Sequence, residues 1–206
     1  MKRAALRIAY VHGFNSGSAS FKGRQLAKAV AALPAAVRPE YDLPQLSHQP
    51  AEAMRALCGW VESGARDGLT FVGSSLGGFY ATYLAERYGA NAVLINPALA
   101  PDRDLAPYVG IQSNPYTGET YELTTEHFAE MSALKVAHIT RPERYLLLVQ
   151  TGDEVLDYRQ AVVFYGGAWQ FVQGGGDHAF RDFAAQIPPL LRFAGVDAAA
   201  VGRLSI

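Results

Sequence analysis

The stretch "FVGSSLGGFY", residues 71–80, decides how this chain is read. An apolar run ends in two adjacent serines between glycines, and apolar residues at helical spacing follow. Gly73-Ser74-Ser75-Leu76-Gly77 fits G-x-S-x-G with Ser75 at its centre. Centring the pattern on Ser74 fails, because the flanking positions are then Val72 and Leu76. Strand, sharp turn and helix form the context in which this pattern presents a serine nucleophile. The reason is steric. The central residue is held in a strained conformation, and small neighbours let strand and helix approach each other. The hydroxyl then stands at a helix N-terminus, whose dipole favours developing negative charge. A glycine-rich strand-to-helix corner would explain the same residues without chemistry, so the rest of the chain has to discriminate. A phosphate cradle is the weaker reading: position 75 is not glycine, so G-x-G-x-x-G fails, and no Gly-Lys-Ser/Thr follows.

A serine hydroxyl becomes nucleophilic only beside a base, and the base needs a carboxylate to orient it. With this turn in an open α/β sheet the chain order is serine, acid, histidine. The histidines after Ser75 are His127, His138 and His178. His178 lies in "VQGGGDHAF", directly after the last strand-like run, and loops at the carboxyl ends of strands are where such sheets place their sites. It is the candidate base. "LLLVQTGDEVLDY" offers Asp153, Glu154 and Asp157 as acids. Asp153 is the first to leave the strand and is placed ahead of Asp157, which a helix N-cap role explains. Glu154 reads as solvated, and Asp177 as a turn residue. The oxyanion of an acyl-transfer intermediate needs fixed donors. The backbone N–H of Leu76, and that of Phe14 in "VHGFNSGSASFKG", occupy the right places. His12 reads as a loop-packing residue rather than a proton-transfer group. "GGGDHA" matches G-x-G-x-x-A but is followed by no second strand, so the dinucleotide reading fails.

Continuous apolar runs recur along the chain: "LRIAYV" (6–11), "LTFVG" (69–73), "NAVLIN" (91–96), "RYLLLVQ" (144–150) and "AWQFVQ" (168–173), with "AAVRPEYDL" (35–43) a weaker strand candidate. Strands buried on both faces of a parallel sheet read this way. Helical spacing fills the intervals at 23–33, 50–64, 77–89, 158–166 and 180–195, with Pro188 and Pro189 bending or interrupting the last. The alternation implies an open α/β sheet with right-handed crossovers. Residues 97–143 break the rhythm. They are rich in proline and glycine, carry Tyr108, Tyr116, Tyr121 and Phe128, and show no clear strand. A connection this long is functional or disordered, and its aromatic content argues against disorder. It reads as a cap over the site within a single domain spanning 1–206.

Composition sets the outer limits. The 206 residues suffice for one domain with a sizeable core, and a net charge of −1 gives no field to attract nucleic acid. The single cysteine, Cys58, has no partner for a disulfide and sits at helical spacing among apolar residues, which suits a reducing compartment. The opening Met1-Lys2-Arg3 starts like a leader, but Arg7 interrupts the apolar run and no cleavage site follows. No apolar run reaches the roughly 18 residues of a membrane span. A cytoplasmic enzyme without metal or organic cofactor is the expectation, there being no H-E-x-x-H or Cys/His cluster. Oligomeric state is not readable.

With these pieces assembled, the chain resembles the α/β-hydrolase superfamily, and more closely the small YqiA-type esterases within it. The resemblance rests on "VHGFNS", "FVGSSLGGFYATYLAERYG", "AVLINPA", "NPYTGETYELT", "YLLLVQTGDEVLDYRQAV" and "GGGDHAF", which together span nearly the whole chain. It implies a three-layer α/β fold: a minimal, mainly parallel sheet of about six strands, helices on both faces, and a short cap. The antiparallel strands that larger hydrolases carry before "LRIAYV" are missing. It implies hydrolysis of carboxylic esters, extending to acyl-CoA thioesters, with Ser75 as nucleophile, Asp153 as acid and His178 as base. Phe79, Tyr116 and Phe128 are the candidates for substrate contact. Two other readings use the same fold: a non-catalytic binding module with 97–143 as its partner surface, and acyl transfer to an acceptor other than water.

Overall fold

The computed structural model describes residues 6–204. The opening Met1-Lys2-Arg3, which starts like a leader, lies outside the described residues. In chain order the elements begin with β1 (Arg7–Val11), α1 (Phe21–Ala32), β2 (Glu40–Asp42), α2 (Pro50–Glu62), β3 (Leu69–Ser74), α3 (Leu76–Tyr88) and β4 (Asn91–Ile95). After β4 come α4 (Pro101–Asp104), β5 (Gly110–Ser113), β6 (Thr120–Leu123) and α5 (Thr125–Ser132). The chain then forms β7 (Tyr145–Gln150), α6 (Tyr158–Phe164), β8 (Trp169–Gln173), α7 (Ile187–Phe193) and α8 (Ala198–Val201).

The apolar runs become a six-stranded sheet in the order β2-β1-β3-β4-β7-β8, every neighbouring pair parallel. Side chains alternate across it. Ala9, Val11, Phe71 and Leu94 pack with α2, α3 and α6, while Ile8, Tyr10, Val72 and Val93 pack with α1, α7 and α8. Because both faces are covered, β1 and β3 are buried along their whole length, which is why they read as unbroken apolar runs. Arg7 is the exception in that pattern. Its guanidinium is buried over the Trp60 ring and is satisfied by the carbonyls of Trp60, Val61 and Ala65 and by Glu40. Pro188 and Pro189 occupy the first turn of α7, where the missing N–H groups cost nothing. They end the 3₁₀ turn Phe183–Gln186 rather than bending a long helix.

The expectation that 97–143 holds no strand is wrong. Strands β5 and β6 pair antiparallel, Gly110 opposite Leu123 and Ser113 opposite Thr120. Each is only four residues long, and in β6 the buried Tyr121 and Leu123 alternate with exposed residues, so neither produces an apolar run. The turn between them is built by Asn114. Its carboxamide oxygen accepts from Tyr116 N (2.9 Å) and its carbonyl from Gly118 N (2.8 Å), with Gly118 at φ 74°.

The order of strands reverses at β1. Chain leaving β1 goes to one side through β2, then crosses back to β3 on the other. The carboxyl ends of β1 and β3 therefore flank the switch point of the sheet, where a crevice forms. Phe14 follows the first of these strands and Ser75 the second.

Candidate active site

Ser75 bridges the end of β3 and the start of α3 with φ 55° and ψ −123°, a conformation that an L side chain rarely takes. It is held there by three backbone bonds: its N–H donates to Ile95 O (3.0 Å), and its carbonyl accepts from Gly78 N (2.8 Å) and Ala98 N (3.0 Å). The flanking glycines are required for space. A Cβ on Gly77 would run into the Val11 carbonyl, and one on Gly73 into the backbone of Gly77. The pattern G-x-S-x-G is thus a packing requirement that holds β3, α3 and the end of β1 in contact.

Three of the residues expected from sequence meet here. His178 Nε2 lies 3.0 Å from Ser75 Oγ, and His178 Nδ1 lies 3.0 and 2.9 Å from the two Asp153 carboxylate oxygens. With carboxylate acceptors at Nδ1, the ring proton belongs there, which leaves Nε2 to accept from the Ser75 hydroxyl. The Asp153 side chain is 1% exposed and that of His178 is 22% exposed. The carboxylate is withdrawn from water but not unpartnered, since its Oδ1 also accepts from the N–H groups of Val155 (2.9 Å) and Leu156 (2.8 Å). Asp157 instead caps α6 by accepting from Arg159 N and pairs with the Arg159 guanidinium. Asp177 pairs with Arg181. His127 and His138 do not join this group.

Four side chains that carry the site were not singled out for it by the sequence reading. Glu154, read there as solvated, accepts from His178 N (2.9 Å). Asn96, at φ 41° after β4, donates to the carbonyls of Asp177 (3.0 Å) and His178 (3.1 Å). Gln150, fully buried at the end of β7, accepts from Asp177 N and Arg181 N and donates to Arg181 O. Thr151 Oγ1 accepts from Gly175 N (2.9 Å). The histidine loop is thereby tied to the ends of β4 and β7. A polar residue ending an apolar strand was the only available signal.

The opposite wall is the loop after β1. A Cβ on Gly13 would come within 3.2 Å of Ser75 Cβ and 3.8 Å of Leu76 N, so the segment carrying Phe14 passes beside the start of α3, and Phe14 and Leu76 line one cleft. Among the described residues neither of their backbone N–H groups has an acceptor. His12 uses both ring nitrogens to fix this loop: Nδ1 lies 3.1 Å from Gly13 O, and Nε2 accepts from Leu46 N (3.1 Å). Burial holds its pKa below the usual histidine range, and that neutral form is the one these two bonds need. The β5–β6 hairpin locks onto the same loop, Tyr121 Oη and Asn114 Nδ2 donating to Asn15 Oδ1 (2.9 Å) and Ser16 O (2.8 Å).

Two clefts open at Ser75. The larger, about 310 Å³, is walled by Phe14, Leu76, Ala98, Pro101, Leu105, Tyr108 and Leu156. The other, about 240 Å³, contains Tyr116. Phe79 and Phe128, expected to touch substrate, line neither. Phe79 is buried in α3 beside Tyr80, and Phe128 packs from α5 onto the same core. The cause is burial: α3 is covered along nearly its whole length, so an apolar residue near Ser75 in sequence can face away from it.

Known proteins share this architecture. A protein of Agrobacterium vitis S4, named only provisionally as a hydrolase, superposes with a TM-score of 0.73 at 16% identity, covering 92% of this chain and 88% of that one. Mouse alpha/beta hydrolase domain-containing protein 10 gives 0.67 at 13% identity, covering 93% and 97%. The esterase domain of a Rhodothermus marinus protein gives 0.64 at 17% identity, covering 94% and 88%. Among the described residues no helix is long and apolar enough to cross a membrane. Residues 7–195 match the uncharacterised protein family UPF0227, and the chain is a member of that family, built on the α/β-hydrolase fold.

Proposed function

We propose that this protein is a serine hydrolase that cleaves carboxylic esters, and thioesters by the same chemistry, through an acyl-enzyme on Ser75. The observation that carries the reading is the unbroken hydrogen-bonded line from the buried Asp153 through His178 to a hydroxyl set on a strained turn. Ser75 Oγ attacks the acyl carbon while His178 Nε2 takes its proton. The carbonyl π electrons move onto oxygen, which the Leu76 and Phe14 N–H groups receive. The bond to the leaving group then breaks, its electron pair goes to the leaving oxygen or sulfur, and His178 returns the proton there. Water repeats the sequence: His178 takes one proton, hydroxide adds to the acyl carbon, and Ser75 Oγ departs with the proton restored. Asp153 stays ionised and stabilises the imidazolium in both halves. The apolar walls of the larger cleft suit the acyl chain.

The test is covalent labelling with a fluorophosphonate, together with turnover of a p-nitrophenyl ester. Wild type and Ser74→Ala are expected to label and turn over, and Ser75→Ala to do neither while retaining its fold. A wild-type protein that does not label would make the scaffold a binding module. Labelling lost in Ser74→Ala and kept in Ser75→Ala would move the nucleophile.

A further inference from the structure

The second cleft at Ser75 differs from the first in its chemistry. Its lining includes Tyr10, Ser74, Tyr116 and Ala179, together with Lys22. The larger cleft has no cation and one carboxylate, Asp104. Lys22 is half-buried, and its Nζ donates one bond, to Ala179 O (2.7 Å). Among the described residues its other two donors have no protein acceptor. The arginine ion pairs among the described residues engage Arg7, Arg55, Arg103, Arg159 and Arg181. Lys22 has no such carboxylate. Burial pulls its pKa down to about 8, and the more distant Asp177 and Asp153 offset only part of that. It also stands in the first turn of the twelve-residue α1, the end where a helix dipole disfavours a cation. The fold therefore sets a partly desolvated positive charge beside Ser75, where an anion entering the cleft can pair with it.

The position indicates which part of a substrate brings that anion. Lys22 is bonded to the residue after His178, the group that returns a proton to the departing atom. The apolar cleft on the other side suits the acyl chain. We propose that the Lys22 cleft is the leaving-group subsite, and that it selects an alcohol or thiol bearing a carboxylate or phosphate, with Lys22 as the counter-ion. This rests on the serine-hydrolase reading and names the substrate class of the same site.

The experiment uses one acyl group on three leaving groups of similar size: neutral, carboxylate-bearing and phosphate-bearing. A fourth ester carries its carboxylate at the far end of the acyl chain. kcat/KM is measured for wild type, Lys22→Met and Lys22→Arg. Wild type is expected to prefer an anionic leaving group over the neutral one by about tenfold or more, the scale of a charge-assisted hydrogen bond. Lys22→Met is expected to abolish that ratio and Lys22→Arg to keep much of it. The larger of the carboxylate and phosphate ratios identifies the anion. Equal losses on all four esters in Lys22→Met would make Lys22 a brace for the His178 loop and overturn the proposal. So would a ratio that survives Lys22→Met, or a preference confined to the acyl-borne carboxylate. Turnover of the neutral ester with no charge preference sinks this proposal alone. Absence of all turnover, with Ser75 unlabelled, sinks the hydrolase reading and this one with it.

Discussion

Asn96 and Gln150 are joined at the carboxyl ends of adjacent strands: Asn96 Oδ1 accepts from Gln150 N at 3.0 Å, and from there both side chains reach into the loop that carries His178. Asn96 takes the carbonyls of Asp177 and His178, and Gln150 takes the N–H groups of Asp177 and Arg181. Among the described residues neither side chain is hydrogen-bonded to Ser75. Together they set the height and direction from which the imidazole approaches it.

Gln150→Leu keeps the size of the side chain and the backbone bond to Asn96 but removes the side-chain bonds to Asp177, Arg181 and Gln173. Buried donors left unpaired cost about 1–3 kcal/mol each. Thermal unfolding is expected to shift down by about 5–10 °C, given roughly 2–4 °C per kcal/mol in a chain of this size. Ester turnover is expected to fall as well. An unchanged melting temperature would show that the loop is held by other contacts.

Asp153→Asn and Asp157→Asn separate the two carboxylates that sequence left in competition. Asparagine at 153 can still accept from Val155 N and Leu156 N but no longer carries the charge that stabilises imidazolium. A drop in kcat of roughly 10³–10⁴ is expected, by analogy with a comparable substitution in another serine hydrolase. Asparagine at 157 remains a good N-cap, so its kcat is expected to stay within a few-fold of wild type. Similar losses in both variants would remove the assignment of Asp153.

Tyr108→Ala and Phe128→Ala distinguish the cleft wall from the core. Tyr108 lines the larger cleft and packs against Phe14, with ring centroids 6.1 Å apart. Its truncation is expected to change the ratio of kcat/KM between short and long acyl esters by about tenfold, the equivalent of roughly two methylenes. Phe128→Ala is expected to lower the melting temperature and leave that ratio alone. The reverse result would return Phe128 to the substrate and make Tyr108 structural.

Two buried histidines are expected to give the fold a pH dependence. Burial holds His12 and His127 below the usual histidine range, and His48, 5.6 Å from His127, pushes the latter the same way against Glu126 and Glu130. In the unfolded chain both take up protons as pH falls through about 6.5. The unfolded state then binds more protons than the folded one, so stability declines as pH drops from neutrality. Melting temperature is expected to fall between pH 7.5 and 5.5. His127→Gln can still reach back to the Thr124 N–H that His127 Nδ1 engages, but cannot titrate, and is expected to flatten the slope. A slope as steep as wild type would show that His127 does not contribute.

Sequence alone was enough for the frame and for naming the three residues that the structure brings together at the candidate site. Strands covered on both faces must be apolar throughout, so "LRIAYV", "LTFVG", "NAVLIN" and "RYLLLVQ" marked the centre of the sheet. The elbow was readable because its constraint is local: Gly73 and Gly77 are the only residue type that fits where strand, helix and neighbouring strand touch. Asp153 and His178 followed from their places just beyond successive strands. The hairpin in the connecting segment was hidden, because two four-residue strands, one half-buried at most and the other alternating buried and exposed, leave no run to detect.

What the tertiary structure decided was the facing of side chains. Helix α3 is buried on nearly every side, so its periodicity could not tell whether Phe79 points toward Ser75 or into the core. Leu105 and Tyr108 line the same cleft as the serine only because the segment after β4 folds back over the carboxyl end of the sheet. Glu154, Asn96, Gln150 and Lys22 act on residues from 24 to 157 positions away. A hydrogen bond across such a separation exists only once the sheet has brought both ends together, and no pattern along the chain encodes it.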